Sequence, residues 1–211
     1  MRLKKIFSGL VLVISALGII SFHTNKVEAK TSDSEPTVTV TKTKLNKEGY
    51  ILRILNKHIN NKIYVGKKSY NKALKTAVPF KGKTISPKKV QKIKFRIEKT
   101  TIPPKGAVSY TPMYLVASKN KKYSAWLTQA SLQYYYLNDK SMHNVTKFLK
   151  KIVNRNNTKL SAADKKDLRS AITQAKKLKG SQRKFVLKSL NQIKKSDTIE
   201  NQGESILLFG F

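Results

Sequence analysis

The sequence predicts an α+β fold: a small antiparallel β module, barrel or sandwich, followed by a C-terminal three-helix unit. Three observations predict it. Short β-branched and aromatic runs separated by turn residues fill residues 37–130. From residue 141 onward the apolar positions instead recur at three- and four-residue spacing. No cysteine occurs among the 211 residues, so an ordinary hydrophobic core must hold the chain together without disulfides. The expected divisions are a signal segment over 1–29, a mobile leader over 30–36, the β module over 37–137 and the helical unit over 138–211.

The first segment reads as an export signal. Met1-Arg2-Leu3-Lys4-Lys5 supplies a positive start, residues 6–22 are apolar apart from three serines and glycine, and Val27-Glu28-Ala29 offers a cleavage site. An uncleaved anchor is the alternative, because 17 residues lie near the lower limit for a membrane span.

In the β module, Thr37-Val38-Thr39-Val40-Thr41 alternates β-branched types and is the first expected strand. Ile51-Leu52-Arg53-Ile54-Leu55 and Ile63-Tyr64-Val65 follow, with a turn at Asn60-Asn61 and Gly66 as the stop. Residues 90–97 show the cleanest period-2 pattern, Ile93, Phe95 and Ile97 alternating with Lys92, Lys94 and Arg96. Pro103-Pro104-Lys105-Gly106 predicts a turn, and strands are expected over 107–110, 113–117 and 123–127. Lys119-Asn120-Lys121-Lys122 is of hairpin length between the last two.

In the helical unit, Ser141 is the expected cap of a helix whose Val145, Phe148, Leu149, Ile152 and Val153 share a face. Ser161-Ala162-Ala163-Asp164 reads as a capping box opening a second helix, with Leu168, Ile172, Ala175 and Leu178 inward and Gly180 as its stop. Ser181 is the expected cap of a third, with Val186, Leu187, Leu190 and Ile193 apolar, ending near Lys194-Lys195. The apolar tail over 205–211 is too short to cross a membrane and is expected to dock on the body, an exposed partner-binding peptide being the alternative.

Charge gives the functional expectation. The full chain carries a formal net charge of +33, and removing Arg2, Lys4, Lys5 and Lys26 against Glu28 leaves +30 on 182 residues. Residues 49–138 hold 19 basic side chains against one acid, Glu98. A fold that repels itself this strongly implies a polyanionic partner. The expected binding residues are Lys67, Lys68, Lys81, Lys83, Lys88, Lys89, Lys92, Lys94, Arg96, Lys119, Lys121 and Lys122. On a strand over 90–97, Lys92, Lys94 and Arg96 would stand about 7 Å apart on one face, close to a phosphate repeat. The excess of lysine over arginine suits loose, register-tolerant phosphate contacts. Trp126, Tyr134, Tyr135 and Tyr136 lie close to these lysines in sequence and could stack on sugars or bases, although aromatic stripes more often belong to a core. The expected partner is an anionic cell-wall polymer, with extracellular DNA or anionic lipid as alternatives; no small-molecule substrate or cofactor is implied.

Catalysis has little to stand on. The mature chain keeps two histidines, His58 and His143, at no metal-ligand spacing. The acids are scattered, and a wall hydrolase would need Glu98 to meet Glu48 through the fold. The expectation is a binding protein without catalytic or metal-binding residues.

Lys122-Tyr123-Ser124-Ala125-Trp126-Leu127-Thr128, Leu132-Gln133-Tyr134-Tyr135-Tyr136, residues 140–147 and the closing Leu207-Leu208-Phe209-Gly210 resemble small, exported, lysine-rich proteins of lactobacilli and relatives. The resemblance covers roughly residues 105–211. It implies an exported protein of a Gram-positive bacterium and no particular activity or site. The β module resembles SH3-like and surface-layer wall-binding modules, which implies contact with peptidoglycan or its attached polymers.

Overall fold

The computed structural model describes residues 39–56, 61–77, 79–102, 111–199 and 205–211. The expected signal segment and leader, the start of the first expected strand, His58 and Asn60, the turn at 103–106 and the strand over 107–110 lie outside the described residues. Among those described, eight strands form one antiparallel sheet: β1 Thr39–Thr41, β2 Leu52–Ile54, β3 Ile63–Val65, β4 Thr84–Ile85, β5 Phe95–Ile102, β6 Met113–Ser118, β7 Tyr123–Thr128 and β8 Leu132–Tyr134. Their order is β4-β3-β7-β6-β5-β2-β8, with β1 on the far part of β5. The sheet curls into a half-barrel and is followed by three helices, so the fold is α+β.

The two faces of the sheet are covered differently. Phe95, Ile97, Tyr114, Val116, Ala125, Leu127, Leu132 and Tyr134 belong to the main core, which the C-terminal helices complete. On the other face Leu115 and Trp126 pack with Ala73 of a short helix, α1 Lys67–Ala73. A strand covered on both faces reads as a continuous apolar run, which is why Met113-Tyr114-Leu115-Val116-Ala117 lacks alternation. The sequence reading contained no α1, although Tyr70, Ala73 and Leu74 have helical spacing; seven residues give too little periodicity to register.

The strand expected over 90–97 begins only at Phe95. Ser86 accepts a hydrogen bond from the Lys88 amide, Pro87 stands in the first turn, and a 3-10 turn Pro87–Val90 results. Gln91 Nε2 then donates to Pro87 O at 2.8 Å and to Ile54 O at 3.0 Å, holding the chain off the ladder. β5 instead runs on to Ile102, with a register shift between Ile97 and Lys99 that leaves Glu98 as the extra residue of a bulge.

The three C-terminal helices are α2 His143–Arg155, α3 Ala162–Ala175 and α4 Gly180–Ser196. Their apolar stripes bury Val145, Leu149 and Ile152, then Leu168, Ala171 and Ala175, then Val186, Leu190 and Ile193. Ser161 and Asp164 form the capping box of α3. Three boundaries differ from the expectation. Ser141 lies inside a 3-10 turn, Lys140–Met142, that precedes α2, and its hydroxyl bonds Gln182. Gly180 does not stop α3 but opens α4 at φ +53. Lys179 therefore occupies the N-cap and Ser181 falls within the first turn. The tail is inside the body: Ile206, Leu207, Leu208 and Phe209 are buried, and Phe209 meets the Tyr114 ring at 5.3 Å between centroids.

Candidate functional site

The hydrogen bonds of the sheet bring distant lysines to one corner. Val65 N donates to Lys83 O at 3.1 Å and Gly66 N to Lys122 O at 2.8 Å, so the end of β3, the start of β4 and the β6–β7 turn converge. α1 leaves from the same point, carrying Lys67 and Lys68 in its first turn. The β6–β7 turn is tightly made: Asn120 Oδ1 accepts from Ser118 Oγ and the Lys122 amide, and Ser118 Oγ accepts from Tyr123 N. Lys67, Lys68, Lys81, Lys83, Lys119 and Lys122 are exposed around this corner, and among the described residues none of them has an ion-pair partner. Lys88 and Lys89 are exposed on the 3-10 turn after β4, and Lys92 on the bend that follows it.

Three of the expected cations turn inward instead. Lys94 Nζ bonds the Tyr136 hydroxyl and lies 4.9 and 4.4 Å from the Tyr135 and Tyr136 ring centroids. Arg96 and Lys121 both bind the Glu98 carboxylate, Arg96 Nη2 at 3.0 Å. Because Lys92 is off the strand, the expected ladder of Lys92, Lys94 and Arg96 does not exist. The bulge explains the acid: Glu98 is the extra residue, and its side chain lies where Arg96 and the β6–β7 turn can both reach it.

Two tyrosines close this cluster. Arg96 lies 5.1 Å from the Tyr50 ring centroid, and Lys121 lies 4.8 Å from that of Tyr70 on α1. Burial by itself would raise the Glu98 pKa, but the hydrogen bonds from Arg96 and Lys121 outweigh it and hold the carboxyl below its ordinary value. Burial likewise works against charge on Lys121, and the bond to Glu98 reverses the sign, so its pKa is raised. The cluster ties β5, the β6–β7 turn and α1 together, and so fixes the backbone that presents Lys119 and Lys122.

The expected stacking residues are corrected in part. Trp126 is 3% exposed and Tyr134 1%, so neither can lie against a ligand. Trp126 Nε1 donates to Ala73 O at 3.1 Å, and Tyr134 stacks on Phe185 of α4 at 4.6 Å. Tyr135 and Tyr136 are half-buried and engaged with Lys94. Glu48 binds Lys188 of α4 and Glu98 binds its own two cations, so each carboxylate is held by separate partners. Among the described residues no group of three His, Asp or Glu is placed to hold a metal ion.

The sequence reading missed the roles of Tyr50, Tyr70 and Glu98. The one available signal was the isolation of Glu98 among cations, since an acid retained in so basic a segment implies a specific partner. What the corner can do chemically is offer hydrated ammonium groups to anionic oxygens without demanding a fixed geometry.

No family model matches the chain, and no solved structure matches it. A protein of Lactobacillus helveticus described as "Uncharacterized protein in hlv 5'region" is 53% identical over 154 residues, covering 71% of this chain and 96% of the relative.

Proposed function

The chain belongs to the family of that Lactobacillus helveticus protein, and from this premise we propose that it is an exported basic protein that associates non-covalently with the anionic envelope of the producing cell. The ligand in this reading is a teichoic-acid-like or peptidoglycan-linked polymer carrying repeated negative groups. The observation that carries the reading is the corner where Lys67, Lys68, Lys81, Lys83, Lys119 and Lys122 gather, none of them with an ion-pair partner among the described residues. Each ammonium that meets a phosphate releases a condensed counterion, so affinity accumulates over contacts and depends on salt. Binding, not turnover, is the proposed activity.

The test is a salt titration of the mature chain on purified Gram-positive walls, with and without their phosphate polymers. Affinity is expected to fall log-linearly with salt and to collapse on stripped walls. The variant Lys67→Gln/Lys83→Gln/Lys119→Gln/Lys122→Gln removes four contact charges, and at roughly 0.7 per charge its log–log salt slope should shrink by about three. Equal binding to stripped walls, or a slope unchanged in the variant, would refute the proposal.

A further inference from the structure

The basic surface continues beyond the β module. α3 packs on α2 and α4 with Leu168, Ala171 and Ala175 buried. Its opposite face carries Lys166, Arg169 and Thr173, continued by Lys176 and Lys177 in the turn that follows, all exposed. Three- and four-residue steps stack such side chains on one side of a helix. At 1.5 Å per residue the row from 166 to 177 is about 16 Å long. Among the described residues no ion pair engages Lys166, Arg169, Lys176 or Lys177. The acids that could have neutralised this face point elsewhere: Asp164 and Asp167 both bind Arg155 of α2, and Asp197 takes Lys165 at 3.0 Å.

This face and the lysine corner stand on different parts of the molecule. The helical unit meets the sheet at β8, where Phe185 of α4 stacks on Tyr134, and just after it, where Thr146 of α2 donates to Leu137 O at 3.1 Å. β8 ends the strand order on one side, whereas β3 and β4, which build the corner, end it on the other. A short chain lying on one face therefore leaves the other free.

We propose that the outer face of α3 is a second polyanion site, so that one molecule holds two phosphate-bearing chains and cross-links them. The inference rests on the corner being the first such site. The fitting partner is a linear polymer with regularly repeated phosphates, because a row of four cations spread over about 16 Å of one helix face offers charge at intervals along a line.

The test uses the full mature chain with inorganic polyphosphate, short chains for calorimetric stoichiometry and long chains for light scattering. Two short chains per protein are expected, together with scattering when long chains are added. The variant Lys166→Gln/Arg169→Gln/Lys176→Gln/Lys177→Gln should bind one short chain and give no scattering, and the corner variant should likewise bind one. Circular dichroism of both variants checks that the fold is kept. A single chain bound by the wild type, or lost only with the corner lysines, overturns the second site and leaves the first standing. Two chains still bound by the α3 variant, or three or more bound regardless of it, overturn it as well. No chain bound at all refutes both sites.

Discussion

Replacing Glu98 by glutamine keeps the side chain's volume and removes the charge that joins Arg96 to Lys121. In the folded protein the carboxylate accepts from Arg96 Nε at 3.2 Å, from Arg96 Nη2 at 3.0 and 3.1 Å, and from Lys121 Nζ. Removing one partner of a fully buried pair costs about 3–5 kcal/mol, largely through the charge left behind. Here the cations keep some water, with side-chain exposures of 34% for Arg96 and 20% for Lys121, so about 2 kcal/mol is expected. The assay is urea unfolding at constant ionic strength, read as a shift in midpoint at neutral and at acid pH. The folded-state pKa of Glu98 is depressed, so its contribution is complete above the unfolded value, about 4.3, and is lost as pH falls through the folded one. The gap between wild type and Glu98→Gln should therefore close on acidification. Binding provides a second reading. The variant gains one positive charge, so charge alone predicts tighter attachment to walls, whereas a loosened β6–β7 turn predicts weaker attachment. A stability gap that does not change with pH, or tighter binding by Glu98→Gln, would refute the assigned role.

Gly210→Ala should cost about 2 kcal/mol or more in urea unfolding, because its φ is +76 and an added Cβ would meet Leu132 O at 2.6 Å. Gly49→Ala, at φ +78 and ψ −163 with nothing within 4 Å, is the strain-only control and should lose about 1–3 kcal/mol. Phe209→Ala, at a side chain 0% exposed, should cost about 3–5 kcal/mol and lower the melting temperature. Burial pushes the Tyr114 phenol up to about 12, so the folded state holds a proton that the unfolded chain releases near 10. Stability should accordingly decline as pH rises from about 10 to 12, with tyrosinate absorbance of Tyr114 appearing only with unfolding. Trp126→Phe removes the bond to Ala73 O, worth about 1 kcal/mol, and should speed amide exchange across α1.

The helices were legible because Val145, Leu149 and Ile152, or Val186, Leu190 and Ile193, repeat one period over three or more turns. β6 and β7 were legible as apolar runs of strand length on either side of a lysine turn. Residues 90–97 misled because Ser86, Pro87 and Gln91 decide the path there, and their hydrogen bonds leave no trace in hydropathy. The aromatics could not be sorted by composition. Trp126 is buried because its cross-strand neighbour is Leu115 and α1 lies over both, a fact of register and topology. The lysine corner depends on pairings between positions far apart in sequence, such as Gly66 with Lys122, so the charges could be counted from the sequence but not placed.

The placement of the acids gives the surface its character. Glu98 joins β5 to the β6–β7 turn, Glu48 joins the 3-10 turn Lys44–Glu48 to α4 through Lys188, Asp164 and Asp167 join α3 to α2 through Arg155, and Asp197 joins the end of α4 to Lys165 of α3. Each of these carboxylates links two elements of the fold. With so few acids in the chain, assigning them to such contacts leaves the lysines of the corner and the cations of the α3 face without an ion-pair partner among the described residues. Self-repulsion on that scale opposes folding, and mobile salt relieves it only within a screening length of about 8–10 Å. A polymer with closely spaced negative groups relieves it more fully, because its charges are held together and bring their neighbours with them. On the function proposed above, a polyanion supplies the lysine corner and the α3 face with the counter-charge that this allocation of acids withholds from them.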